Sequence, residues 1–285
     1  MDKEYFFVSL QKTIAMRKKL NLGNSDFKNI IENNNYFVDK TLLIKEILSA
    51  EKAVLLFPRP RRFGKTLNLS MLRYFFDVRM PENKELFRGL KIWNEKEIIE
   101  KHCCQYPVIY LTFKDAKAET WDKVYERLKI EIIKIYKEHR YLLDKEILYN
   151  EEKETYRKIL QGTAKIAYYE ASIEILSEYL HRYYQKNVII LIDEYDTPIQ
   201  SGYKKFYAEV ISFMRNLLSG AYKDNSYLYK GVITGILRVS KESIFSGLNN
   251  LSVNSILDYD FSDKFGFTEA EVLQILEDFD VKTDY

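Results

Sequence analysis

The sequence predicts an α/β fold built on a largely parallel sheet, and two observations carry that prediction. Short, continuously apolar runs alternate along the chain with stretches of helical period, as expected of buried strands joined by crossover helices. The apolar share is 46% and the charged share 30% over 285 residues. That is the make-up of a folded chain with room for a sizeable core, and it excludes a disordered one.

Strands are expected at 53–57, 107–113, 187–192 and 229–234, with a weaker one near 252–256. The run Val188-Ile189-Ile190-Leu191-Ile192 has no polar alternation, so it belongs at the sheet centre with both faces covered. Helices fit between the strands. Leu67, Met71, Leu72 and Phe75 form one helical face directly after the first strand. Trp121, Val124, Leu128, Ile132 and Ile135 step by three and four, and Ile173, Leu176, Leu180 and Tyr183 do the same before the third strand. Thr268 followed three residues later by Glu271 is a capping box, which starts a last helix.

Composition narrows the function classes. Lysine and arginine total 44 against 42 acids, a net charge of +2. Attraction to nucleic acid or to an anionic membrane would therefore have to come from a local patch. The only cysteines, Cys103 and Cys104, are adjacent, and the histidines His102, His139 and His181 are scattered, so no structural zinc site is expected. The 23 tyrosines are read as packing residues. The start of the chain is too charged for a secretory signal, and no apolar run approaches the roughly 18 residues of a membrane span. The expected setting is soluble and cytoplasmic.

With only ten glycines, each glycine near a motif is informative. After the first strand the chain reads Arg59-Pro60-Arg61-Arg62-Phe63-Gly64-Lys65-Thr66 and enters a helix. A strand-to-helix turn aims several backbone N–H groups and the positive helix end at one place, which favours phosphate. Gly64 lets the backbone approach, Lys65 can reach the β and γ phosphates, and the Thr66 hydroxyl can ligate Mg²⁺. This is a Walker A phosphate loop in which Arg59 replaces the first glycine and Pro60 removes one N–H donor. Candidate nucleotide-binding residues are Pro60, Arg61, Arg62, Phe63, Gly64, Lys65, Thr66 and Leu67. Arg59, Arg61, Arg62 and Lys65 are expected to match the charge of a triphosphate. One charge pair at about 4 Å is worth roughly 4 kcal/mol before desolvation at an effective dielectric of about 20. The alternative reading is a solvated basic loop.

The complementary half is an acid at the tip of a buried strand. Asp193-Glu194 follows the run Val188 to Ile192, so Asp193 is placed on Mg²⁺ through a water and Glu194 polarises the attacking water as general base. Both halves together read as a P-loop NTPase with Walker A and Walker B motifs. Asp196 either orients this loop or caps the turn before Pro198. Thr234, at the tip of the fourth strand, is a candidate sensor of the γ-phosphate. Arg238 is a candidate for neutralising charge on the transferred group, with a plain surface arginine as the alternative. Ser240 and Ser243 are read as helix-start residues.

These stretches resemble the bacterial AAA-ATPase-like family of the P-loop superfamily. The matching segments are SDFKNIIENNNYFVDKTLLIKEIL (25–48), FPRPRRFGKTLNLSMLRYFF (57–76), VIILIDEYDTPI (188–199) and TGILRVSKESIFSGLNNL (234–251), and they cover most of the chain. In this family an arginine at position 59 is usual. The resemblance implies a five-stranded sheet in the order 5-1-4-3-2, with an additional glutamate-bearing strand at the third position. It implies that the segment with Phe37 and Val38 borders the adenine. It divides the chain into an N-terminal extension (1–24), the ATPase-like domain (25–261) and the start of a helical or winged-helix lid (262–285). Longer relatives often carry a PD-(D/E)XK nuclease-like domain, which this sequence does not contain.

The expected function is Mg²⁺-dependent ATP binding with slow hydrolysis, used as a switch or motor for a partner or an effector domain. The expected ligands are ATP or ADP and Mg²⁺, with a homo-oligomer or a protein partner. Nucleic acid is expected only indirectly, through an effector domain, and no membrane is involved. One alternative is a nucleotide-gated scaffold without turnover. Another is a nucleic-acid-binding module using residues 59–65, which the near-neutral net charge argues against.

Overall fold

The computed structural model describes residues 18–20, 23–237, 244–245 and 248–281. Arg238, Ser240 and Ser243 fall outside these residues, as does most of the expected N-terminal extension. The elements run α1 (Phe27–Glu32), α2 (Leu43–Ser49), β1 (Val54–Pro58), α3 (Lys65–Phe76), α4 (Lys96–His102), β2 (Val108–Thr112) and α5 (Trp121–Glu138). They continue with α6 (Asn150–Gln161), α7 (Ile166–Glu170), α8 (Ser172–Tyr184), β3 (Val188–Asp193), α9 (Thr197–Gly202) and α10 (Tyr207–Tyr222). The order ends with β4 (Leu228–Gly235), β5 (Leu251–Val253) and α11 (Glu269–Asp278).

The five strands form one sheet in the order β2-β3-β4-β1-β5, and each pairing is parallel. Read from the other edge this is 5-1-4-3-2, as the resemblance implies. Every expected strand is present. The first four agree within a residue or so, while β5 stops at Val253 because Asn254 makes one last backbone bond to Leu56 and the chain then turns at 255–258. One detail differs. The third place along the sheet belongs to β4, which ends in Thr234 and Gly235, whereas the glutamate follows β3.

The apolar runs are continuous because the sheet is covered on both faces. Val188, Ile190 and Ile192 point into a core with α5, α6, α8 and α10, together with Val54 and Leu56 of β1. Ile189 and Leu191 point the other way, with Leu55 and Phe57, into a core with α1, α2, α3 and α4. Strand period therefore sorts neighbouring residues into opposite cores. Each fully buried aliphatic or aromatic side chain contributes roughly 1.5–3 kcal/mol. The helical faces hold as expected: Val124, Leu128, Ile132 and Ile135 of α5 are buried, as are Ile173, Leu176 and Leu180 of α8. The Thr268–Glu271 capping box opens α11. Both cysteines are free and buried.

All strands run in one direction, so their carboxyl ends lie along one edge. The chain segments 59–64, 193–197 and 235–237 gather there, the usual place for a ligand in an open α/β sheet.

Gly231 on β4 marks where the sheet meets α10. A Cβ there would lie 2.4 Å from Cε1 of the buried Tyr222 ring. Gly231→Ala is expected to lower the unfolding free energy by about 1–3 kcal/mol. Urea denaturation followed by circular dichroism checks this.

Candidate functional site

Residues 59–64 turn from β1 into α3. The turn needs a left-handed backbone at two places, Arg62 (φ 67°) and Gly64 (φ 73°). Position 59, where the general motif has glycine, is not among the left-handed residues. That is why arginine is accommodated there without backbone strain. At Arg62 the conformation costs a non-glycine residue about 1–2 kcal/mol.

Arg59 does not present its charge to a phosphate, contrary to the expectation. It is 1% exposed, and its Nη1 donates to the carbonyls of Asn254 (2.5 Å) and Pro58 (3.1 Å). Its guanidinium lies 5.0 Å from the Phe265 ring centroid and 5.9 Å from that of Phe57. Burial lowers its pKa, and Asp258 works the other way. Arg59 thus bolts the loop to the end of β5 and to the segment before α11. Arg61 and Arg62 are exposed and remain available.

Gly64 caps α3 without any side-chain hydrogen bond, so the first N–H groups of the helix are left for an anion. Lys65, 6% exposed, folds back to donate to the carbonyls of Arg59 (3.0 Å) and Pro60 (2.8 Å). Burial lowers its pKa most, while Asp193, Glu194 and Asp196 raise it. The acids at and after the end of β3 are thus close enough to act on the ammonium after β1.

Asp193 is fully buried at the end of β3. It accepts the Thr66 hydroxyl on Oδ2 at 2.7 Å and the Thr234 hydroxyl on Oδ1 at 2.5 Å. Two hydroxyl donors compensate a carboxylate that would otherwise be costly to bury. Glu194 takes a left-handed conformation (φ 51°), and Thr197 donates to its Oε2 at 3.2 Å. An αL glutamate beside a phosphate loop is a rare conformation held by its surroundings. Among the described residues no group of three or more His, Cys, Asp or Glu could hold a metal by itself. The hard oxygens of Thr66 and Asp193 still suit Mg²⁺, which takes few protein ligands and fills its shell with phosphate and water.

The sequence left two roles for Asp196, and the structure selects the first. Its side chain makes no cap to α9. Instead Oδ2 accepts the backbone N–H of Ile236 (3.0 Å) and Leu237 (2.8 Å), and Gln200 Nε2 at 2.7 Å. Tyr195 was missed by sequence reasoning. It is fully buried and its hydroxyl donates to the Leu237 carbonyl at 2.8 Å. Its place between two acids in Asp-Glu-Tyr-Asp was the only available signal.

A cavity of about 270 Å³ opens beside the loop, lined by Phe37, Val38, Phe63, Gly64, Leu67 and Phe267 among others. Phe37 and Val38 thus line the same cavity as Phe63 and Gly64 of the loop. The far wall comes from the segment around α11. Gly266 N–H donates to the Phe63 carbonyl (3.0 Å), Asn68 Nδ2 to the Lys264 carbonyl (2.9 Å), and Lys40 pairs with Glu271 at 2.5 Å. Sequence reasoning missed these contacts, because they join segments about 200 residues apart. Arg238 lies outside the described residues.

The family described as "Predicted AAA-ATPase" matches residues 21–245. A protein of Azotobacter chroococcum mcd 1, described as an uncharacterized protein in the vnfD 5′ region, is 28% identical over 264 residues. That match covers 90% of this chain but 44% of the relative, so the chain spans less than half of the relative's length. No solved structure matches.

Asp193→Ala would strand the Thr66 and Thr234 hydroxyls at the centre of the site. A loss of about 1–3 kcal/mol in nucleotide-free stability is expected, measured by urea denaturation.

Proposed function

Because the chain belongs to the AAA-ATPase-like family, we propose that it binds Mg-ATP at the carboxyl edge of its sheet and hydrolyses it slowly, as a conformational switch. The observation that carries this reading is the meeting of three distant segments: Lys65 and Thr66 after β1, Asp193 and Glu194 after β3, and Thr234 at the end of β4. Lys65, with Arg61 and Arg62 at the loop surface, neutralises the phosphates. Thr66 and Asp193 would hold Mg²⁺, and Thr234 would sense the third phosphate. Bound Mg²⁺ supplies charge neutralisation at the phosphates. Glu194 orients the attacking water and accepts its proton. Arg238 is assigned to charge neutralisation on the same group.

The base would sit in the cavity against Phe37, Val38 and Phe63. Among the described residues no acid lines that cavity, and guanine would offer its N1 and N2 donors to one. This supports adenine as the preferred base. Among the described residues no helix is long and apolar enough to cross a membrane, in keeping with the expected cytoplasmic setting. A homo-oligomer or protein partner remains the proposed receiver of the conformational change.

A second reading is a nucleotide-gated scaffold without turnover. It is favoured by the way Lys65 is occupied by two carbonyls of its own loop.

Mg-ATP at about 100 times its Kd stabilises a fold by about 2.7 kcal/mol, or roughly 5–10 °C in Tm at this size. That shift is expected for the native chain and lost in Lys65→Ala, as differential scanning fluorimetry would record. Equal shifts in both proteins would remove the phosphate loop from the reading. Glu194→Gln is expected to keep the shift and to lower phosphate release by about 10²-fold or more. Phosphate release absent from the native chain, with binding intact, selects the scaffold.

A further inference from the structure

Two loops at the carboxyl edge carry different proposed tasks. The loop after β3 holds Glu194, which would act on water. The end of β4 holds Thr234, which would feel the third phosphate. Hydrolysis that depends on the γ-phosphate requires these loops to keep one geometry, and beyond the Thr234–Asp193 bond they are joined through Tyr195 and Asp196.

The join is made at four backbone groups. Tyr195 N–H donates to the Thr234 carbonyl at 3.1 Å, and the Tyr195 hydroxyl donates to the Leu237 carbonyl. The N–H groups of Ile236 and Leu237 both donate to Asp196 Oδ2. Tyr195 is fully buried and Asp196 is 1% exposed, so the side chains that make these bonds are shielded from water, while Leu237 at the other end is exposed. Gly235 completes the fit. A Cβ there would lie 2.6 Å from Tyr195 Cε1 and 2.7 Å from Asp196 Oδ1, so the strand end can approach the two side chains only as glycine. Among the described residues Asp196 Oδ1 is buried without a hydrogen-bond partner, and both amides load the other oxygen.

We infer that Tyr195 and Asp196 are positioning residues that lock the β4 end bearing Thr234 to the loop bearing Glu194, so that the third phosphate and the water-activating carboxylate are read as one unit. The inference rests on the ATP reading given above. Neither residue touches the reacting atoms. Both act by holding backbone that carries the groups which do.

A lock of this kind acts on the third phosphate and leaves the rest of the nucleotide alone. Titration calorimetry of the full chain with Mg-ATP and Mg-ADP, alongside phosphate-release kinetics, tests it on Tyr195→Phe and Asp196→Asn. Mg-ADP affinity is expected within about twofold of the native chain in both variants, which also shows that they are folded. The preference for Mg-ATP over Mg-ADP is expected to fall by about tenfold, with kcat falling about tenfold or more at little change in KM. Thr234→Val combined with either variant should cost less than the sum of the two separate effects, because the same unit is already broken.

The inference is overturned if both variants keep the native ratio of the two affinities and the native kcat. It is equally overturned if Mg-ATP and Mg-ADP weaken by the same factor, since that is general loosening. Should Asp196→Asn not fold, Tyr195→Phe decides alone, because it deletes one hydroxyl. A native chain that binds nucleotide without turnover is judged on the affinity ratio. A native chain that binds no nucleotide overturns the ATP reading and this inference with it. Native discrimination preserved in both variants removes the inference and leaves the ATP reading standing.

Discussion

The carboxylate of Asp193 is the constraint on which the site depends. It lies in a fully buried position at the end of a central strand and is shared by two hydroxyls, one from α3 and one from β4. A buried carboxylate with unfilled oxygens would be costly, so the two donors hold it in place as much as it holds them. Through this one group the phosphate loop, the acidic loop and the end of β4 keep a common register. The sheet supplies the platform, since parallel strands deliver all three segments to the same edge.

Three left-handed positions lie around this group. Arg62, Gly64 and Glu194 all have positive φ, and only one of them is glycine. Left-handed backbone at non-glycine residues is disfavoured, so the flanking hydrogen bonds and packing must maintain it. Arg59 illustrates the opposite case. Its place in the motif is normally a glycine's, yet its backbone needs no such freedom, and its side chain is used as a buried strut toward Asn254 and Phe265. A departure from a motif can therefore leave the loop geometry intact while giving the substituted side chain another task.

Much of the molecule was legible before any coordinates. Strands with no polar alternation can be buried only on both faces, and this put β3 inside the sheet, between β2 and β4, although the central place falls to β4. Helical stripes such as Val124-Leu128-Ile132 and Ile173-Leu176-Leu180 were equally readable, because three-and-four spacing has one structural meaning. Of the site, Lys65, Thr66, Asp193 and Glu194 were found because each motif is contiguous and has a local context of strand followed by loop. Three things were not legible: the orientation of Arg59, the grip of Tyr195 and Asp196 on residues 236–237, and the wall built by Lys40, Lys264 and Gly266. Each depends on which backbone groups from remote segments arrive within about 3 Å, and local spacing carries no record of that.

The sequence alone determined the periodicities, and with them the layered α/β architecture and the chemical identities gathered at the two motifs. Those properties are local, set by backbone geometry and by where apolar side chains fall along it. Tertiary structure alone decided which carboxylate oxygen meets which hydroxyl, where Arg59 spends its charge, and which tyrosine is held behind the carboxyl edge of the sheet. Those outcomes depend on directional contacts between chain segments as far as about 200 residues apart. Hydrogen bonds fade over a few tenths of an ångström, so only the packed fold can select among them.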